Sequence, residues 1–295
     1  MTASQASPLE QFAALVARED AEIELARACL QIAEDAYPGL DVPGYVGEID
    51  RLAGRLRARL APDAAVEDRV IALNEFLFDE LGFRGNIEHY YDPRNSYLNE
   101  VLDRRTGIPI TLAVLYLEIG GRVGLPLAGV SFPGHFLVRL PMRGGTLVLD
   151  PFAGGLPQSG DELRERLKRV IPRGATGEWQ EAARGVPVGD LPLDQFLEPS
   201  SKRQILARLL RNLKGIFRET DQPERLLQVL DRMIIVAPEL AAERRDRGYV
   251  YQRLECWRPA LEDLTDYLAR EPEAPDQHEV RAQVVDLTRR CARLN

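Results

Sequence analysis

The sequence predicts an α+β domain followed by an all-α region, on three observations. Apolar residues recur at helical spacing from Leu9 to Leu60, and again in Val66–Leu81 and Ile108–Val123. Three short β-prone runs with a turn cluster between them then occupy Leu125 to Asp150. Beyond Leu193 the pattern is helical throughout.

In the first part, Leu25, Cys29 and Ala33 form one apolar stripe. Val46, Ile49, Leu52 and Leu56 form another, with Pro38, Pro43 and Pro62 punctuating them. Val70, Leu73, Leu77 and Leu81 predict a helix from Val66 to about Leu81, stopped by Gly82. Gly85 to Asn99 is dense in Asn, Asp, Pro and Tyr and predicts an ordered loop. The next helix runs from about Ile108, after a Gly-Ile-Pro turn, to Val123 beside Gly124. Leu125–Val130, His135–Leu140 and Thr146–Asp150 then read as strands, with the turn in Pro141 to Gly145. They predict a small antiparallel sheet packed on the helices. Asp161 to Val170 closes the domain as a helix. The expected boundaries are residues 1–171 for the α+β domain, 172–193 for a Gly- and Pro-rich linker and 194–295 for the helical region.

Pro238 and Pro272 divide the helical region into units Ala207–Pro238 and Ala241–Pro272, offset by 34 residues. The second unit fits the tetratricopeptide pattern at Gly248, Tyr251, Ala260 and Leu264. Small residues at Gly248 and Ala260 let paired helices approach, and Tyr251 and Leu264 fill the remaining gap. The first unit departs from it, with Lys214 for the glycine and Leu226 for the alanine. Glu279 to Leu294 is the expected capping helix, which covers the last apolar face. Such a module binds a protein or peptide partner or packs on the domain before it.

Composition narrows the rest. An apolar fraction of 45% and a charged fraction of 28% are those of a soluble globular protein. A net charge of −8 argues against general affinity for nucleic acid or an anionic membrane. The most apolar stretch, Ile108 to Ile119, is too short to span a bilayer and contains Glu118. The start carries no secretory signal pattern. Cys29, Cys256 and Cys291 are odd in number and far apart, which fits a reducing cytoplasm better than a disulfide framework. No phosphate-binding glycine loop and no metal-ligand spacing is present, so no cofactor is expected. Lys202, Arg203, Arg208, Arg211, Lys214 and Arg218 make one helix basic, as a solvated face or a surface for an acidic partner.

The hairpin carries the chemistry. A turn centred on Met142–Arg143 places His135 opposite Asp150, where Cβ atoms stand about 4.5–5.5 Å apart. A carboxylate at that distance holds one imidazole tautomer and stabilises the imidazolium, the two services a general base needs.

Three stretches add a family resemblance. Asn95-Ser96-Tyr97-Leu98, Arg105 through Ala113, and Pro133 through Arg139 resemble the SirB-type bacterial family, as does the order helix, Gly-Leu-Pro turn, His strand, Asp strand. That family joins a transglutaminase-like domain of papain type to tetratricopeptide repeats, and the likeness covers about Leu30 to Leu294. It implies a Cys-His-Asp triad whose cysteine opens the helix before the Gly-Leu-Pro turn, where the helix N-terminus lowers the thiol pKa. Counting back from Gly124 reaches Pro109, flanked by Gly107, Ile108, Ile110 and Thr111, and none is a thiol. The expected function is therefore a catalytically degenerate adaptor or regulator. His135 and Asp150 remain as a remnant pair, with Asn95, Asn99 and Pro109 as candidate binding residues. The alternative is a hydrolase or acyl transferase in which His135 activates Thr111 or a water.

Overall fold

The computed structural model describes residues 6–170 and 192–293. In chain order its helices are α1 (Pro8–Val16), α2 (Leu25–Ala33), α3 (Val42–Arg57), α4 (Val66–Asn74), α5 (Leu98–Arg104), α6 (Pro109–Arg122) and α7 (Gly160–Val170). Then come α8 (Leu193–Phe196), α9 (Lys202–Glu219), α10 (Pro223–Val236), α11 (Ala241–Arg253), α12 (Trp257–Arg270) and α13 (Gln277–Arg293). The strands are β1 (Arg84–Gly85), β2 (Thr106–Gly107), β3 (Ala128–Val130), β4 (Leu137–Met142), β5 (Gly145–Asp150) and β6 (Leu156–Pro157). The linker expected over 172–193 lies outside the described residues apart from Pro192 and Leu193, and Leu193 opens α8. Two compact units form, one of residues 20–209 and one that joins the chain through Glu19 to everything from Leu210 on.

In the first unit α6 is the central helix. Ile110 and Leu112 through Tyr116 are all buried, so no face of its first two turns meets water. The helix predicted from Val66 runs as α4 and then widens into a π-helical turn over Glu75–Glu80, ending at Gly82 with φ +73°. Asn74, at that junction, donates to the Gly155 carbonyl at 3.0 Å and accepts from the Tyr116 hydroxyl at 2.8 Å. It thereby ties α4 and α6 to the chain that follows Asp150.

The four-stranded sheet has the order β3-β4-β5-β6, all antiparallel. Its hairpin differs in register from the sequence expectation. Met142 pairs with Gly145, so the tight turn is Arg143–Gly144, with Gly144 at φ +93°. Val138 faces Leu149, and Asp150 pairs with Leu156 of β6. His135 precedes β4 and is not cross-strand from Asp150. Gly144 takes the positive φ that the tight turn requires, which moves the turn centre one residue past Met142–Arg143. Behind the sheet, Val130, Phe132, Leu137 and Val148 pack with Leu163 and Leu167 of α7 and with Phe196. The β3 edge is covered by Ser200, whose N–H donates to the Gly129 carbonyl at 2.8 Å.

The second unit takes in α9 from Leu210 on and then α10–α12, with α11 packed on both α10 and α12 and α13 packed on α12 as the capping helix. Gly248 on α11 has Leu264 and Ala260 of α12 against it, and a Cβ there would stand 2.7 Å from Leu264 Cδ2. Lys214, where the first pair lacks the glycine, instead reaches Glu243 at 2.6 Å and Asp246 at 2.7 Å on α11. Arg247 bridges Asp231 and Asp263 at 2.8 and 2.7 Å, locking α10, α11 and α12 together. Val280 and Leu287 of α13 close the core with Ala260, Leu264 and Tyr267. The first helix belongs here as well. Phe12 is fully buried and lies under the Arg232 guanidinium of α10, 4.8 Å from ring centre.

Gly248→Val is expected to cost about 1–3 kcal/mol by overpacking against Leu264. Urea unfolding followed by far-UV circular dichroism checks this, and an unchanged midpoint contradicts it.

Candidate functional site

His135 and Asp150 are brought together by a route other than strand pairing. A Pro133-Gly134 turn, closed by the His135 N–H to the Phe132 carbonyl at 3.0 Å, swings the imidazole over the end of β5. His135 Nε2 then stands 2.9 Å from Asp150 Oδ1. Asp150 is 1% exposed and the His135 side chain 12%. The carboxylate receives two further donors. The Phe152 N–H reaches Oδ1 at 3.1 Å and Arg166 reaches Oδ2 at 2.8 Å. Burial alone would raise the Asp150 carboxyl. The His135 hydrogen bond and charge, the Arg166 charge and the Phe152 N–H outweigh it and hold the group below the usual carboxylate range.

Aromatic rings continue from the imidazole in a chain of edge-to-face contacts. His135 and Phe152 have ring centres 5.9 Å apart, Phe152 and Tyr90 6.2 Å, and Tyr90 and Tyr91 5.3 Å. Tyr91 is 72% exposed and neighbouring Ile87 80%, although the loop that carries them is fixed. Asn95 holds it, donating from Nδ2 to the His89 and Tyr90 carbonyls and accepting from Asn86.

Among the described residues, the others singled out from sequence make no hydrogen bond to the pair. Thr111 is buried; its hydroxyl donates to the Asn95 carbonyl at 2.8 Å and accepts from the Ile108 N–H at 3.1 Å. Among the described residues no hydrogen bond joins it to His135. Asn95, Asn99 and Pro109 are buried too. Ile108, Ile110 and Thr111 are each at most 2% exposed, and the first turn of α6 is closed over. Cys29 is buried in the α2 core, where burial pushes its thiol up. Cys256 immediately precedes α12 and Cys291 lies on α13. Among the described residues no group of three or more His, Cys, Asp or Glu could hold a metal ion. No described helix is long and apolar enough to cross a membrane.

Arg166 is the member that sequence reading missed, since its neighbours Glu162, Arg164, Glu165, Lys168 and Arg169 mark an exposed helix. The available signal was its phase. It sits between Leu163, Leu167 and Val170 at helical spacing, beside the buried face. Phe152, Tyr90 and Tyr91 carried no signal beyond their type.

The depressed Asp150 carboxyl has a sign that can be worked out. Its folded value lies below its unfolded one, so it contributes stability above the ordinary carboxylate range near 4, lost as pH falls through the folded value. Asp150→Asn is expected to cost about 1.5–3 kcal/mol at neutral pH. The deficit should shrink as urea titrations are repeated toward pH 3, and a deficit that grows with acid contradicts the assignment.

Comparison with known proteins accounts for both units. Residues 44–211 match the transglutaminase-like superfamily model and residues 213–285 the tetratricopeptide repeat model. A UPF0162 protein of Xylella fastidiosa is 41% identical over 92% of this chain and 92% of its own. The UPF0162 protein of Pseudomonas aeruginosa is 32% identical, over 81% and 82%. Protein SirB1 of Salmonella typhimurium is 28% identical, over 80% and 82%. A solved structure of menin, which reveals its binding site for Mixed Lineage Leukemia protein, aligns with TM-score 0.41 and 13% identity over 94% of this chain and 73% of menin. With these matches across nearly its whole length, the chain belongs to the UPF0162/SirB1 family, a transglutaminase-like domain followed by tetratricopeptide repeats.

Proposed function

We propose that this protein is a catalytically degenerate transglutaminase-like adaptor. It holds a peptide or protein segment over the surface formed by His135, Phe152, Tyr90 and Tyr91, and its repeats supply a second contact. The observation that carries the reading is the start of α6. The nucleophile's place in the family pattern holds Pro109 and buried aliphatic neighbours, and the nearest hydroxyl, Thr111, is spent on the backbone. An imidazole held by a carboxylate needs an attacking group within hydrogen-bond reach to be a catalyst. Without one it is a rigid polar contact, and the adjoining exposed rings are the residue types that anchor interfaces. Three unpaired cysteines fit a cytoplasmic setting.

The second reading, a hydrolase in which His135 activates a water, is favoured by the 2.9 Å bond to Asp150 alone.

One experiment separates them. Intact wild-type and His135→Ala proteins are immobilised, and the proteins retained from lysate are quantified by mass spectrometry beside turnover of a peptide-amide library. The adaptor reading expects a defined retained protein, weakened about tenfold or more by the substitution, the scale of a 1.4 kcal/mol contact, and no turnover by either form. Turnover that His135→Ala abolishes would establish the hydrolase instead.

A further inference from the structure

We infer that Arg166 is a positioning residue for the His135–Asp150 pair, and that α7 clamps this pair at two points one helical turn apart. The first point is the guanidinium. Asp150 Oδ1 has two donors, His135 and the Phe152 N–H, whereas Oδ2 has Arg166. The same Arg166 nitrogen donates to Gln158 Oε1 at 3.2 Å, which braces the guanidinium from the side. The second point is four residues on. Val170 packs on Gly134, the residue before the histidine, where a Cβ would lie 2.8 Å from Val170 Cγ2 and the backbone holds φ +69°. One face of α7 thus bears on the turn that presents the imidazole and on the carboxylate that orients it. The helix is itself anchored, because Leu163 and Leu167 are built into the core behind the sheet.

The physical case rests on burial. At 1% exposure, Asp150 has almost no water to replace a lost donor. A buried carboxylate oxygen stripped of its partner carries the full desolvation penalty. It escapes that penalty by rotating, which releases His135 Nε2, or by taking up a proton, which weakens the bond that holds it. Arg166 therefore acts through Asp150 and not on a ligand, so the role holds whether the pair recognises a segment or activates a water.

The chain contains three histidines, which makes the test direct. Protein labelled with ¹⁵N-histidine is compared with Arg166→Met, Arg166→Lys and Arg164→Met by ring ¹H–¹⁵N NMR, above the usual imidazole titration range. His135→Ala assigns the signals. In the wild type the two His135 ring nitrogens should resonate far apart, as a fixed Nε2–H tautomer, with a protected ring proton. Arg166→Met should bring them together and lose the protected proton, and Arg166→Lys should restore part of the separation. Arg164→Met, which removes an exposed charge from the same helix, should change nothing. Thermal melts show that each variant is folded, and Arg166→Gln replaces the methionine variant if that one fails to fold. Unchanged His135 resonances in a folded Arg166 variant would overturn the inference, as would an equal effect of Arg164→Met.

Discussion

A carboxylate that is 1% exposed constrains everything around it. Removing such a group from water costs several kcal/mol unless donors replace the lost hydration. Asp150 collects them from three places: the turn before β4, the backbone just past β5, and α7. Each donor comes from a segment fixed by other contacts. The Asp150 carbonyl also receives the Gly155 N–H, and the Gly155 carbonyl is held by Asn74 at the π-helical end of α4. The helices and the sheet are thus joined through one residue as well as through apolar packing.

The same constraint bears on chemistry. A triad needs the orienting carboxylate, the imidazole and a nucleophile whose proton the imidazole can take. His135 and Asp150 are assembled with good geometry, and the start of α6, where the family resemblance leads one to look for the nucleophile, is built of Pro109, Ile110 and Thr111. Pro109 is well suited to the first position of a helix, where no N–H is required. Thr111 staples that turn to the loop at Asn95. The loop so stapled is the one that presents Tyr90 and Tyr91.

Much of this was legible before the structure, for physical reasons that vary from element to element. Periodicity gave α6, α7 and the repeat helices, because apolar faces that pack must recur at 3.6 residues. The close approach at Gly248 followed from a small residue in a known repeat position. The His135–Asp150 contact was anticipated for the wrong reason. Hairpin register depends on which residue takes positive φ, and Gly144 and Gly145 were both available. Arg166 hid among charges of no consequence, and the pairing of α1 with α10 left no periodic trace, since a contact between distant segments has no local signature. The part Asn95 plays in bonding the His89 and Tyr90 carbonyls was not legible, because a loop asparagine that satisfies buried backbone looks the same in sequence as one that faces a ligand.

In the proposed function the surface beside His135 engages a partner without forming a covalent bond to it. A photoreactive phenylalanine analogue in place of Tyr91, followed by intact-mass analysis of the protein recovered from cells, tests this most directly. The expected result is a light-dependent crosslink to a protein segment and no added mass in the dark. A light-independent mass gain mapping to Thr111, or no crosslink on illumination, would contradict it.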